Sequence, residues 1–319
     1  MKYELKPEFR KRMELLLPDK KDFAEYEKII HKKTLNFIRC NTLKISPAEL
    51  MKRLGKKWDI IQPWEEYPEI MLVKQDLSPG ELGNSLEHIL GLYYIQEASS
   101  MMPPIVLEPK PGELILDLMA SPGSKTTQIS AKMQNQGTII ANDLKLNRIK
   151  ILASNLERCG VSNCIVSRND AVSLCSKLAE KRVKFDKILL DVTCSGEGTL
   201  RSSPKTFIIW NKKIIEKLGR MQKKFISSAL KCLKKGGTLV YSTCTHAPEE
   251  NEEVIDFAIK NFPVEVESFD IPLKKRPGIS EWKGKKFHKD IKKCARIYPQ
   301  DNDTEGFFIC KLKLIGDLK

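Results

Sequence analysis

Residues Leu114–Thr127 read LILDLMASPGSKTT. Leu114 to Leu118 is a short apolar run of the kind that makes a buried strand. Pro122-Gly123 breaks it, and Lys125 to Met133 has the spacing of a helix. Downstream the same alternation repeats. Thr138 to Ala141 reads as a second strand, ending in Asn142-Asp143, and Leu146 to Arg158 as the next helix. Cys164 to Ser167 is a third strand ending near Asp170, and Phe185 to Leu190 a fourth, closing on Asp191. A long helix over Lys213 to Leu233 is expected to stop at Lys234-Lys235-Gly236-Gly237, a basic last turn followed by glycine. Thr238 to Tyr241 makes strand five, Glu249 to Asn261 another helix, and Val264–Val266 and Phe307–Leu312 further strands. Such alternation predicts an α/β fold built on a doubly wound, parallel sheet.

Upstream the pattern changes. Pro7 to Leu17 and Asp22 to Ile30 read as helices, Leu35 to Leu43 as a strand, and Ser46-Pro47 as the start of a helix through Leu54. Trp58–Ile61 and Ile70–Val73 suit two more strands, and Gly83 to Met102 is expected to be a link. The chain therefore divides into a small α+β accessory domain over residues 1–110 and a catalytic domain over residues 111–319.

The composition is that of an ordinary globular chain, with 41% hydrophobic and 30% charged residues. Met1 to Lys21 has no apolar core, so no signal peptide is expected, and no run is long enough for a membrane helix. Nine cysteines without a regular framework suggest reduced thiols and a cytoplasmic address. Neither the cysteines nor the four histidines show ligand spacing, so no metal is expected. A monomer is the expected state. Net charge is +14, and Leu273–Arg296 carries ten Lys or Arg against Glu281 and Asp290. A polyanion such as RNA is the natural partner for such a segment, although lysine-rich surfaces also keep proteins soluble.

In sheets of this kind ligands sit at the carboxyl ends of the strands. The turn Met119-Ala120-Ser121-Pro122-Gly123-Ser124-Lys125 runs into a helix N-terminus, where free N–H groups favour a carboxylate or anion. Neither the P-loop nor the G-x-G-x-x-G spacing is present, which favours S-adenosylmethionine over NAD. Asp143 is placed to accept from ribose hydroxyls, and Asp170 from an adenine amino group. Each alone reads more readily as a helix cap or turn carboxylate, but three acids on successive strand ends after a glycine turn argue for a nucleoside cofactor.

Two cysteines, Cys194 and Cys244, follow strands four and five. Most of the others read as small buried hydrophobes. His246, two residues past Cys244, is a poor partner for a Cys–His dyad at that spacing. A thiol at the ligand edge suits one demanding methylation. C5 of cytosine is a weak nucleophile until a thiolate adds to C6, and a carboxyl such as Asp191 then manages the N3 proton. The site is expected to depress the pKa of the attacking thiol.

LILDLMASPGSKTT, DVTCSGEGT (191–199) and LVYSTCT (239–245) resemble the signatures of the NSUN/Sun (RsmB-like) RNA cytosine-C5 methyltransferases. So do FIRCNTLK (37–44), YYIQEASSMMPP (93–104) and RIYPQDNDTEGFFICKLK (296–313). The likeness spans Phe37 to Lys313 and is greatest to the compact archaeal tRNA enzymes. It implies a Rossmann-like S-adenosylmethionine-dependent methyltransferase whose cofactor residues are Met119, Ala120, Ser121, Pro122, Gly123, Ser124, Lys125, Asp143, Asp170 and Asp191. It also implies Cys244 as nucleophile, Cys194 as the residue assisting release, and Asp191 as a contact to the target base. DNA cytosine methyltransferases use the cysteine after strand four instead, here Cys194. The chain departs from the family pattern at Met119, Ser121, Ser124, Val192-Thr193, Thr245 and Gln300. A tRNA is the expected substrate, with rRNA as the alternative. A scaffold with weakened turnover, suggested by Ser121 and Ser124, is the contrasting reading, and the basic charge argues against a small-molecule substrate.

Overall fold

The computed structural model describes residues 4–318. Helices α1 (Pro7–Leu16) and α2 (Lys20–Ile29) open the chain, followed by β1 (Asn36–Cys40) and α3 (Pro47–Leu54). The strand stops at Cys40, short of the expected Leu43, because Asn41 turns its amide to the carbonyls of Gly91 (2.8 Å) and Cys159 (2.7 Å). Ser46 caps α3, as the sequence leads one to expect, and the cap is completed by Glu49 in a reciprocal box. Next come β2 (Ile60–Ile61), β3 (Ile70–Val73), α4 (Leu86–Ile89), β4 (Tyr93–Ile95) and α5 (Ala98–Leu107). Strands β2-β3-β1-β4 form a small antiparallel sheet.

Residues 83–102, expected as a link, are thus built structure. Pro103-Pro104 reads as a helix breaker, yet both prolines lie inside α5. Pro104 has no N–H to offer the Ser100 carbonyl, and Gln96 Nε2 donates to it instead (3.1 Å). Beyond Ser99 and Ser100 helix α5 is apolar, and it buries Met101, Met102, Ile105 and Val106 against one face of the large sheet.

That sheet is formed by β5 (Leu114–Asp117), α6 (Ser124–Lys132), β6 (Thr138–Asp143), α7 (Leu146–Cys159), β7 (Cys164–Arg168), α8 (Ala171–Glu180) and β8 (Phe185–Asp191). Then follow α9 (Lys205–Ile209), α10 (Lys212–Leu230), β9 (Leu233–Thr243), α11 (Glu252–Asn261) and β10 (Val264–Glu267). The chain closes with β11 (Arg276–Pro277), β12 (Glu281–Trp282), β13 (Lys285–Lys286), β14 (Ala295–Ile297), α12 (Pro299–Asn302) and β15 (Phe307–Leu314). Strand order is β11-β14-β15-β9-β8-β5-β6-β7, with β10 also on β15. The run from β9 to β7 is parallel, and β15 joins β9 antiparallel. This is the parallel, doubly wound sheet that the alternation implies. The order reverses between β5 and β8, which opens a crevice at their carboxyl ends. Alternate residues face opposite layers: Ile115, Leu189, Val240 and Ile309 meet α5 and α6, while Leu116, Ile188, Leu239 and Phe308 meet α8, α10 and α11.

Two boundaries differ from expectation. Helix α10 ends at Leu230, and Lys234-Lys235-Gly236-Gly237 lies within β9, because Leu233 already pairs with Phe185 ahead of an irregularity in the ladder. Helix α11 starts at Glu252 rather than Glu249, since residues 249–251 turn inward. Helices α1 and α2 pack on Trp210, Phe207 and Tyr298, not on the small sheet. Arg296 of β14 forms a two-pronged pair with Glu252 of α11 (2.6 Å each) and donates to His246 O (3.0 Å), all of it buried. Removing one member leaves a buried charge alone, so Arg296→Met is expected to cost roughly 3–5 kcal/mol in urea unfolding. A loss near zero would show that the pair is dispensable.

Candidate active site

The larger opening at the crevice is a cleft of about 700 Å³, lined by Met119, Asn142, Asp143, Leu144, Asn169, Asp170, Thr193 and, from α10, Met221 and Phe225. It combines two carboxylates with apolar walls, which suits a nucleoside. Asp170 also caps α8, accepting from Val172 N (3.1 Å) and Ser173 N (3.0 Å) through one oxygen. The helix-cap and ligand readings of this residue are therefore compatible. Asp143 is paired with Arg148 (3.3 Å). Arg148 in turn donates to Ser121 O (2.5 Å), and Ser121 Oγ donates to Arg148 O (2.9 Å). The unusual serine thus ties the glycine turn to α7.

A narrower recess shares Met119 and is lined by Asp117, Ala120, Ser121, Pro122, Ser124, Lys125 and Asp191. Gly123 faces the other way: at φ +102° it caps α6 and abuts Leu152 of α7. Lys125 Nζ meets Asp191 Oδ2 at 2.6 Å and Ser100 Oγ at 3.0 Å, and lies over the Phe307 ring. Ser242 Oγ donates to the other oxygen of Asp191 (2.6 Å). The cavity therefore offers a helix N-terminus, an ammonium and a carboxylate, a donor set that fits the charged ends of an amino acid. Beneath it Asp117 is fully buried and accepts from Thr126 Oγ1 (2.7 Å). Burial chiefly, with Asp191 adding repulsion, pushes its carboxyl up to about 7.

Cys194 and Cys244 stand in contact, sulfur to sulfur at 2.9 Å, the first three residues past the end of β8 and the second one residue past the end of β9. Contact with Cys244, then burial, holds the Cys194 thiol well above its usual range. The loops carrying them are joined by Ser195 Oγ to Thr245 Oγ1 (2.8 Å) and Gly198 N to Cys244 O (2.9 Å). His246 is no catalytic base. It is buried, stacked on Tyr298 (4.9 Å), and burial with Arg296 lowers its pKa to about 3.

Sequence reasoning missed Asp117, Ser100, Ser242, Asn169, Met221 and Phe225. The first and third had a visible signal, since each lies on a strand that ends at the crevice. Ser100 sits in the supposed link, and Met221 and Phe225 look like any apolar positions of a long helix. The basic segment 273–296 also reads differently in three dimensions. Arg276 is held by Asp22 and Asp301, Arg296 by Glu252, Lys274 by Asp301, Lys283 by Glu249, Lys285 by Glu253 and Lys293 by Asp290. Much of its charge is neutralised within the fold. Among the described residues no helix is long and apolar enough to cross a membrane.

Residues 104–313 match the family described as 16S rRNA methyltransferase RsmB/F, and residues 5–98 the N-terminal domain of 16S rRNA methyltransferase RsmF. A tRNA (cytosine(49)-C(5))-methyltransferase of Pyrococcus abyssi is 42% identical over 93% of both chains. The ribosomal RNA small subunit methyltransferase F of Vibrio cholerae is 38% identical over 96% of this chain, which spans 63% of that longer protein. Among solved structures, NSun6 from Pyrococcus horikoshii with SFG superposes with a TM-score of 0.85 at 27% identity, over 99% of this chain and all of that one.

Asp117 yields a test by pH. Its folded pKa is raised, so between about pH 4 and about pH 7 the native state keeps a proton that the unfolded chain has released, and stability falls as pH rises through that window. Asp117→Asn removes this slope. The melting temperature of the variant relative to wild type is expected to rise from pH 5 to pH 8, each taken as an approximate end of the window. A constant difference would contradict the burial effect.

Proposed function

Because the chain belongs to the RsmB/F methyltransferase family, we propose that it methylates C5 of a cytosine in tRNA from S-adenosylmethionine, with Cys244 as the nucleophile. The observation that carries this reading is the sulfur contact between Cys194 and Cys244, set beside the Lys125–Asp191–Ser242 cluster at the ends of β8 and β9. The tRNA target follows the archaeal relative matched over nearly its whole length.

The donor set fits the cofactor. Asp143 and Asp170 would hold the nucleoside, and the turn Met119–Lys125 with Asp191 the amino-acid end. S-adenosylmethionine supplies the electrophilic methyl group. The chain's own residues supply the rest. The target base has to leave its stack for a thiolate to reach C6, which a tRNA loop or junction makes less costly. The Cys244 sulfur then forms a bond to C6, and the displaced π electrons make C5 nucleophilic. Asp191, fixed by Lys125 and Ser242, holds the proton at N3. After C5 gains its methyl, water takes the C5 proton, the freed pair restores the C5–C6 double bond, the C6–S electron pair goes back to Cys244, and the N3 proton returns to Asp191. Cys194, kept as a thiol, donates to that sulfur and stabilises it as a leaving group.

Tritiated S-adenosylmethionine with bulk tRNA tests the reading, with digestion to nucleosides identifying the product. Wild type is expected to make 5-methylcytidine, Cys244→Ala none, and Cys194→Ala to accumulate a covalent RNA adduct. Normal turnover by Cys244→Ala, or an adduct formed only when Cys194 is present, would place the nucleophile after β8 instead.

A further inference from the structure

The sequence EEN (249–251), expected to open a helix, forms instead the short turn before α11, and its side chains point into the molecule. Glu250 and Asn251 are completely buried. Asn251 reaches both neighbours of Cys244: its Oδ1 accepts from Thr243 Oγ1 (2.6 Å) and its Nδ2 donates to Thr245 O (2.9 Å). Glu250 reaches the other loop, where its Oε2 accepts from Ser195 N (3.1 Å), the peptide that follows Cys194. The same oxygen accepts from Gln222 Nε2 (2.9 Å), and Gln222 Nε2 also donates to Thr193 O (3.0 Å), on the near side of Cys194. Each cysteine is therefore clamped on both flanks, and both clamps meet at two adjacent residues. The turn itself is anchored by Tyr241 OH donating to Glu250 O (2.6 Å).

We propose that Glu250 and Asn251 are positioning residues of the methyl-transfer site, which hold the Cys194 and Cys244 loops to one turn and so set the contact between the two sulfurs. The inference rests on the reading that these thiols act on RNA. It also accounts for Thr193. The backbone before Cys194 carries no proline ring to restrict it, and Gln222 restrains it through the Thr193 carbonyl. A buried polar network of this kind rigidifies the site most fully when every member is satisfied. Here one oxygen of Glu250 has no hydrogen-bond partner. Burial, with Glu197 adding repulsion, raises this carboxyl to about 7. The groups facing it are Tyr241 of β9, Gln222 of α10, Cys194 and Glu197 of the loop after β8, and Arg12 of α1. When ionised, Glu250 disfavours the Cys194 thiolate and so helps to keep that sulfur protonated.

Three variants test the proposal in the full-length protein: Asn251→Ala, Glu250→Ala and Glu250→Gln. Methyl transfer to tRNA gives kcat and KM, calorimetry gives S-adenosylmethionine affinity, and diamide gives the sulfur geometry directly. In that oxidation the two thiol hydrogens pass to the N=N bond as the Cys194–Cys244 disulfide forms, and mass spectrometry follows the rate. Loss of sub-ångström placement is expected to lower kcat by about 100-fold in Asn251→Ala and Glu250→Ala and to slow cross-linking, with KM and cofactor affinity within about twofold of wild type. Glu250→Gln keeps an acceptor for Ser195 N, so it is expected to restore the cross-linking rate and to move the alkaline limb of the kcat profile to lower pH. Wild-type kcat and cross-linking in Asn251→Ala would overturn the proposal. So would a loss of kcat that merely tracks lost cofactor affinity and melting temperature in all three variants. A wild-type protein that transfers no methyl to any RNA would instead overturn the functional reading beneath it.

Discussion

Six backbone pairings hold β8 beside β9, the last of them joining Asp191 to Ser242. This register is the constraint on which the site depends. With strand ends level, Ser242 can donate to Asp191, and the chain needs only a few residues beyond each ladder to bring Cys194 and Cys244 into contact. A slip of one residue would turn every side chain of a strand to the opposite layer. A slip of β9, for instance, would turn Leu239 toward α5 and Val240 toward α10. The apolar pattern of the two strands therefore fixes the geometry of two thiols that lie outside the sheet.

The strand ends were legible because a parallel sheet writes itself as apolar runs closed by polar residues. Asp143, Asp170 and Asp191 were found that way, and all three line the two cavities. The glycine turn was legible from Pro122-Gly123 and the helix that follows. What was not legible is what tertiary contact alone decides. Pro103-Pro104 in a helix makes sense only once Gln96 is seen to replace the missing donor. Glu249, Glu250 and Asn251 look like the acidic first turn of a helix, a favourable pattern in its own right. Only their distant partners, Arg12, Ser195 and Thr243, explain why they fold inward.

Charge teaches a similar lesson. The chain carries a large positive excess, and its densest cluster lies in residues 273–296. Sequence counts each lysine and arginine alike, but the fold matches most of that cluster with acids drawn from α2, α11, α12 and the turns around them. Arg276, for instance, joins Asp22 near one end of the chain to Asp301 near the other. Part of the basic composition therefore holds the architecture together, and it is the remaining, unpaired cations that are available for a polyanion.

The central claim is that Cys244, not Cys194, bonds to the pyrimidine. A tRNA transcript carrying 5-fluorocytosine tests it most directly, because fluorine at C5 replaces the proton that has to leave and so traps the adduct. With S-adenosylmethionine present, protease digestion and mass spectrometry of the trapped complex locate the sulfur that holds the base. The modified nucleotide is expected on the peptide containing Cys244. The same mass on the peptide containing Cys194 would contradict it.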